Sequence, residues 1–131
     1  IENYREATLH DPTYFEAHYN LGLAAYQNKN LPLALAENEL AVTANPASTD
    51  ARYNFALTLR EANYPADAAN ELRTLLEKDA KDARAHFTLA NLYAQQLDAP
   101  ELARKHYLAV LELNPAHPDA PAIRQWLANR P

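Results

Sequence analysis

Three similar stretches decide the fold of this chain: HYNLGLAAY (18–26), RYNFALTL (52–59) and HFTLANLY (86–93). Each begins 34 residues after the one before it. Each also has a small residue directly after a leucine or phenylalanine, at Gly22, Ala56 and Ala90. A period of this length indicates a tandem array in which like units stack and bury a continuous core.

The composition predicts that these units are helical. The chain has 131 residues, 48% of them hydrophobic, which is enough to build one core without metals or disulfides. It contains one glycine, no cysteine and 22% charged residues. With alanine recurring along the chain, this composition favours helices over hairpin-rich sheets. We therefore expect an all-α protein.

Charge and hydropathy exclude two classes of partner. Seventeen acidic residues outnumber twelve basic ones, so the net charge of −5 leaves no positive surface to grip a phosphate backbone. The longest apolar runs, such as Leu21 to Tyr26, are far shorter than the roughly 20 residues that a membrane helix needs. We expect neither nucleic-acid binding nor membrane insertion. The absence of cysteine suits several compartments, so the localisation stays open.

The repeated stretches resemble the tetratricopeptide repeat family over nearly the whole chain. In that family each unit is a pair of antiparallel helices, and the pairs stack into a right-handed superhelical α-solenoid. Large residues of the first helices are then Leu21, Phe55 and Leu89. Small residues where the second helices approach closely are Ala34, Ala68 and Ala103, and the large slot that follows holds Leu72 and Tyr107.

The resemblance divides residues 1–131, a single domain, into three full units at 15–48, 49–82 and 83–117. Asn-Pro at 45–46 and at 114–115 closes two of them. Residues 1–14 resemble the second helix of a truncated unit, because Tyr4, Ala7 and Pro12 occupy matching slots, so we expect further repeats upstream. Residues 118–131 predict a capping helix whose buried face carries Ala120, Ile123, Trp126 and Leu127.

The chain departs from the family pattern at three places. Asn38 occupies the large apolar slot of the first unit, so we expect Leu40 to replace it in the core. Ala80 stands where a closing proline is usual, and the turn QQLDAP (95–100) has one extra residue. Turns absorb such insertions at little cost.

Second helices are predicted to start after an acceptor side chain that lies two residues before a proline, at Asn30, Asn63 and Asp98. Thr13 with Glu16 and Asp98 with Glu101 have the spacing of capping boxes. Ser48, the only serine, lies at a helix start, where capping is the better interpretation than a nucleophile.

Catalytic and metal-binding motifs are absent from the sequence. Glycine-rich nucleotide loops need more than the single Gly22, and no histidine is followed by glutamate as in zinc proteases. His18 and His86 occupy equivalent slots and are expected to fill packing positions. The remaining histidines, His10, His106 and His117, have no partners at ligand spacing. We predict no enzymatic activity, no cofactor and no metal.

The resemblance implies that a partner binds along the first helices, on the concave face of the array. The slots that line this face hold, in the first unit, Tyr19, Asn20, Leu23 and Tyr26; in the second, Tyr53, Asn54, Leu57 and Arg60; and in the third, Arg84, Phe87, Thr88 and Asn91. We call these twelve residues the first-helix set. Their aromatic rings and amides suit a peptide with apolar side chains, although the aromatics could equally support packing between helices.

A subgroup of the family grips the terminal carboxylate of chaperone tails with basic and amide residues. Asn54 and Arg84 match that clamp, but Tyr19, Leu23 and Thr88 stand where lysine, asparagine and a basic residue are needed. A desolvated carboxylate would be poorly compensated, so this ligand is disfavoured.

We therefore predict a non-enzymatic scaffold that binds a peptide or a partner's helix along the first helices. The alternative is a structural element that self-associates through its convex face or through the open edge of its N-terminal helix. Partner, pathway and the native number of repeats do not follow from the sequence.

Overall fold

The computed structural model describes residues 12–129, so residues 1–11 of the predicted half unit at 1–14 lie outside the described residues. The described part contains seven α-helices: α1 (Pro12–Gln27), α2 (Leu31–Ala44), α3 (Thr49–Glu61), α4 (Pro65–Lys78), α5 (Ala83–Gln95), α6 (Pro100–Leu113) and α7 (Ala120–Ala128). The predicted all-α fold class is confirmed.

The helices fall into two compact units, Ile1–Lys78 and Asp79–Pro131. From here on, the first unit and the second unit mean these two compact units and not the sequence repeats. In the first unit α1 packs against α2, α2 against α3, and α3 against α4, and α1 also touches α3. In the second unit α5 packs against α6, and α6 contacts α7. Short turns between consecutive helices make each pair antiparallel.

Alanine and glycine occupy the close approaches between paired helices, as predicted. Ala34, Ala68 and Ala103 are completely buried, and so are the small residues Ala56 and Ala90. The large residues Leu72, Leu89 and Tyr107 are buried beside them. Leu21 is an exception, because its side chain is 45% exposed, so its predicted place in the core is wrong.

A buried polar network replaces apolar packing in the first unit. Asn38 stays in the core at 2% exposure, while Leu40 is only half-buried, so the predicted substitution of Leu40 for Asn38 is wrong. The Asn38 amide donates to Thr58 Oγ1 at 2.8 Å, and Thr58 donates to the Asn54 carbonyl at 2.8 Å. The Asn38 NH₂ group and the Thr58 hydroxyl therefore both have a partner, which lowers the cost of burying them.

The turns within two helix pairs end in the same motif. After α1, Lys29 adopts φ 60° and the Asn30 N–H bonds to the Ala25 carbonyl; after α3, Asn63 adopts φ 71° and the Tyr64 N–H bonds to Leu59. These are Schellman motifs with a left-handed residue at the end of the first helix. Asn63 thus terminates α3, and its predicted role as a cap of α4 is wrong.

The other predicted caps divide into two groups. Asn30 caps α2 and Ser48 caps α3, where Ser48 Oγ accepts from the Ala51 N–H at 3.1 Å. Helix α6 begins at Pro100 as predicted, but Ala99 precedes it without a side-chain cap and Asp98 has φ 49°. The extra residue puts Asp98 in the left-handed position of the turn, so its predicted capping box with Glu101 is wrong. The Thr13 side chain lies outside the description.

A polar contact between first and second helix recurs in every pair. His18 contacts Glu37, and Arg52 donates to Glu71 at 2.7 Å, one period later. In the second unit the matching atoms are His86 Nδ1 and His106 Nδ1, at 2.9 Å. The position of this contact therefore repeats from pair to pair, while the residue types that form it change.

Candidate functional site

In the first unit, the first-helix set lies on α1 and α3 with its side chains only partly covered. Asn20 is exposed, and the other seven are half-buried: Tyr19, Leu23, Tyr26, Tyr53, Asn54, Leu57 and Arg60. The ends of both helices meet at a cavity of about 230 Å³ lined by Tyr26, Lys29, Leu31 and Glu61. Tyr26 and α3 therefore face a shared opening in this unit.

In the second unit, the four predicted residues of α5 do not share one site. Thr88 lies in the core at 3% exposure, because its side chain points into the helix packing, so its predicted contact with a ligand is wrong. Arg84 is exposed and pairs with Asp82, with 3.0 Å between Nη2 and Oδ2. Only Phe87 and Asn91 come together at a cavity.

Asp82 is both the cap of α5 and the partner of Arg84. Its carboxylate accepts from the Ala85 N–H at 3.2 Å and from Arg84 Nε at 3.2 Å. Burial alone would raise the pKa of Asp82, but the hydrogen bonds from Arg84 and the backbone outweigh it, so the pKa lies below its usual range. The start of α5 is held by a charged carboxylate.

The C-terminal cavity, as we name it, has a volume of about 210 Å³. Its walls come from α5, α6 and α7 and consist of Phe87, Asn91, Gln95, Tyr107, Asp119, Ala122, Ile123 and Trp126. At about 30 Å³ for each water, it has room for about seven waters or for one ligand side chain. It lies wholly within the second unit.

Aromatic rings form much of this cavity's wall. The Tyr107 ring lies 5.0 Å from Trp126 and 6.4 Å from Phe87, and Phe87 lies 4.8 Å from His117, all measured between ring centroids. These separations fall in the range of favourable aromatic pairs. The rings therefore brace one another, and an entering side chain would meet a preformed apolar surface.

One hydrogen bond orients the polar part of the cavity. The Tyr107 hydroxyl donates to Asn91 Oδ1 at 2.5 Å, while the Tyr107 ring is 5% exposed. Because the carbonyl oxygen of the amide is engaged by Tyr107, the amide NH₂ group is directed away from it. Asn91 is thus positioned as a hydrogen-bond donor at the cavity wall.

Sequence reasoning missed two of the residues that line this cavity. Tyr107 was expected only to fill a packing slot, and Trp126 only to face the core from a capping helix. In α7, Ala120 and Ile123 are indeed buried, but Trp126 and Leu127 are half-buried. A large aromatic residue near the end of a short helix was the available signal.

His106, which was predicted to have no partner at ligand spacing, lies beside His86. His86 Nε2 lies 2.8 Å from the Ala80 carbonyl, and His86 Nδ1 lies 2.9 Å from His106 Nδ1. His106 is buried and its ring stacks on Tyr93 at 5.8 Å. This is a packing contact, and no group of three potential metal ligands occurs among residues 12–129.

The comparison with protein families identifies the fold class. The tetratricopeptide repeat family matches residues 1–49 and 53–121, and the chain belongs to this family. A search of the curated proteins found no match. Within the described part of the chain, none of the helices combines the length and apolar character needed to cross a membrane.

Solved structures of tetratricopeptide proteins share this fold. The chain superposes on YrrB, described as having an unusual peptide-binding site, with a TM-score of 0.79 and 23% identity, over 85% of this chain and 57% of YrrB. It matches the Arabidopsis OM64 domain with a TM-score of 0.82 and 20% identity, covering 89% and 96% of the two chains. The Yersinia enterocolitica chaperone SycD, bound to a peptide of the translocator YopD, gives 0.81 and 15%, covering 91% and 93%. The chain thus spans little more than half the length of YrrB.

Proposed function

We propose that this chain is a protein-interaction scaffold that binds a peptide or a helix of a partner protein along its first helices. The C-terminal cavity carries the proposal, because it combines an aromatic wall with a positioned amide at Phe87 and Asn91. An apolar side chain of the ligand would enter the cavity, and the Asn91 amide would donate to the ligand's backbone.

One anchor side chain of this size makes a limited contribution to affinity. Complete burial of a leucine-sized side chain stabilises a complex by about 1.5–3 kcal/mol. That is roughly a tenfold to 150-fold gain in affinity, whereas a micromolar complex needs about 8 kcal/mol. A single anchor is therefore insufficient, and we propose the exposed and half-buried residues of α1 and α3 as a separate contact surface of the first unit.

The structural relatives support a role in binding proteins or peptides. YrrB is described by its peptide-binding site, and SycD was solved with a peptide of YopD. The first tetratricopeptide domain of Spaghetti was solved with an HSP90 peptide. A chaperone-tail ligand remains the weaker proposal here, because Tyr19 and Leu23 replace the lysine and the asparagine of the clamp and Thr88 is buried.

Selection from a random peptide library tests the proposal. The parent protein is compared with Phe87→Ala and with the matched control Tyr64→Ala, whose ring is 52% exposed in the turn before α4. We expect the parent and the control to enrich the same apolar-containing motif, and Phe87→Ala to lose it. Circular dichroism of each variant checks that the helices are retained.

The fluorescence of Trp126 reports on the same site, since Trp126 is the only tryptophan of the chain. A selected peptide should change the emission of Trp126 in the parent and in Tyr64→Ala. Peptide binding without any change at Trp126 would place the ligand elsewhere. Failure to enrich any peptide, together with concentration-dependent self-association, would favour the assembly alternative.

A further inference from the structure

A second cavity of the first unit lies away from the first-helix set. Its volume is about 480 Å³, and it is lined by Glu39, Val42 and Thr43 of α2, by Phe55 and Leu59 of α3, and by Asp67, Asn70 and Glu71 of α4. We call it the α2–α4 groove.

Helical spacing explains how the groove is built. On both α2 and α4 the lining residues fall at positions i, i+3 and i+4, so each helix contributes one continuous stripe. Phe55 and Leu59 are four residues apart on α3 and form the floor between the stripes. At about 100° per residue, Phe55 lies about 200° around α3 from Tyr53. The groove is therefore on the opposite side of α3 from the proposed contact surface.

The floor and the walls differ in chemistry. Phe55 and Val42 are half-buried and Leu59 is 8% exposed, so the floor is apolar. The walls carry three carboxylates, at Glu39, Asp67 and Glu71.

Two nearby arginines reduce this negative charge without removing it. Arg52 donates to Glu71 at 2.7 Å, and Arg73 donates to the Asn70 side chain. Glu39 and Asp67 are both exposed, and their carboxylates form no ion pair within residues 12–129. An occupant that brings a positive charge to each of them gains Coulomb energy, whereas an acidic occupant is repelled.

We propose that the α2–α4 groove binds an amphipathic basic segment of a partner protein. Its apolar side chains lie on the floor of Phe55, Leu59 and Val42, and its lysines or arginines pair with Glu39 and Asp67. Charge complementarity selects this occupant, since the chain itself carries a net charge of −5 and a second copy would bring like charge. This site is independent of the function proposed above.

A labelled peptide with leucines every third or fourth position and lysines between them is the probe. Its affinity is measured by fluorescence anisotropy for the parent, for Glu39→Gln/Asp67→Asn and for Glu101→Gln/Glu112→Gln. The third protein removes two exposed carboxylates from α6, so its net charge matches that of the second. Both pairs include one residue from the first turn of a helix, Asp67 and Glu101.

We expect affinity to fall about tenfold in Glu39→Gln/Asp67→Asn and by less than twofold in the α6 control. Binding should weaken with added salt, because exposed charges are screened. Replacing the peptide's leucines by serine should also reduce its affinity at least tenfold, since the floor then has nothing to bury. Chemical-shift changes in the parent should centre on Val42, Thr43 and Asn70.

Equal affinity for the two charge variants would overturn the proposal, and so would equal affinity for the leucine and serine peptides. Shifts that centre on Phe87, Asn91 and Trp126 would overturn it too, while leaving the proposed function intact. If the labelled peptide does not bind the parent protein, the proposal for the α2–α4 groove is overturned as well.

Discussion

Gly22 is the position where a single methyl group should have the largest effect. A Cβ at Gly22 would lie 3.1 Å from Asn38 Cγ and 3.4 Å from Asn38 N, and closer still to Asn38 Oδ1. The Asn38 amide cannot withdraw freely, because it is buried and donates to Thr58 at 2.8 Å. Gly22→Ala therefore forces α1 and α2 apart or breaks that hydrogen bond.

Two opposing free-energy terms set the size of the stability change in Gly22→Ala. Overpacking of this kind costs about 1–3 kcal/mol, and loss of the Asn38 hydrogen bond falls in a similar range. Alanine offers about 1 kcal/mol of helix propensity in return. The middle of the steric range exceeds the propensity gain, so we expect Gly22→Ala to reduce the free energy of unfolding by about 1 kcal/mol.

Urea unfolding followed by circular dichroism measures this change, and a double variant identifies its cause. Asn38→Ala removes the side chain that Gly22→Ala would strike, so the double variant should be more stable than the sum of the single changes by about 1 kcal/mol or more. Ala56→Gly, at the matching slot of α3, is the control for propensity and should cost about 1 kcal/mol. A Gly22→Ala protein as stable as the parent, or additive behaviour of the pair, would refute the reasoning.

Three further predictions concern helix ends. Ser48→Ala should lower the free energy of unfolding by about 1 kcal/mol and Ser48→Asp should restore most of it, because only the latter keeps an acceptor for the Ala51 N–H; urea midpoints decide this. Asp82→Asn should destabilise the protein at neutral pH, since the lowered pKa means that the charged carboxylate stabilises the folded state. That stabilisation is complete above the ordinary value of 3.8 and is lost as the pH falls through the lower folded pKa, so unfolding curves of parent and variant should converge in acid. Lys29→Gly should raise stability by about 1 kcal/mol, because lysine at φ 60° is strained where glycine is not; an unchanged melting temperature would contradict this.

Much of the fold could be predicted because a repeat encodes it locally. The spacing of apolar residues within each helix and the prolines near the starts of α2, α4 and α6 depend on neighbours within one or two helix turns. The period of 34 residues repeats this local information in successive repeats. Such patterns indicate where helices begin and which face they bury without knowledge of any distant contact.

The site was predicted less completely. Phe87 and Asn91 were identified from their slots and do meet at the C-terminal cavity. Thr88 was assigned by the same logic but is enclosed, because adjacent residues on a helix differ in direction by about 100° and a small side chain does not reach far.

The sequence by itself determined that this chain is a tandem array of helical units, and its resemblance to the tetratricopeptide repeat family implied that each unit is an antiparallel helix pair. Periodic apolar spacing and turn chemistry are properties of short stretches, so they can be recognised without the tertiary structure. Only the tertiary structure decided that Asn38 bonds to Thr58, that Tyr107 orients Asn91, and that Trp126 lines a cavity. These contacts join different helices, and they depend on side-chain rotamers and on the distance between helix axes. Neither the rotamers nor the distance between helix axes can be deduced from the spacing of residues along one helix.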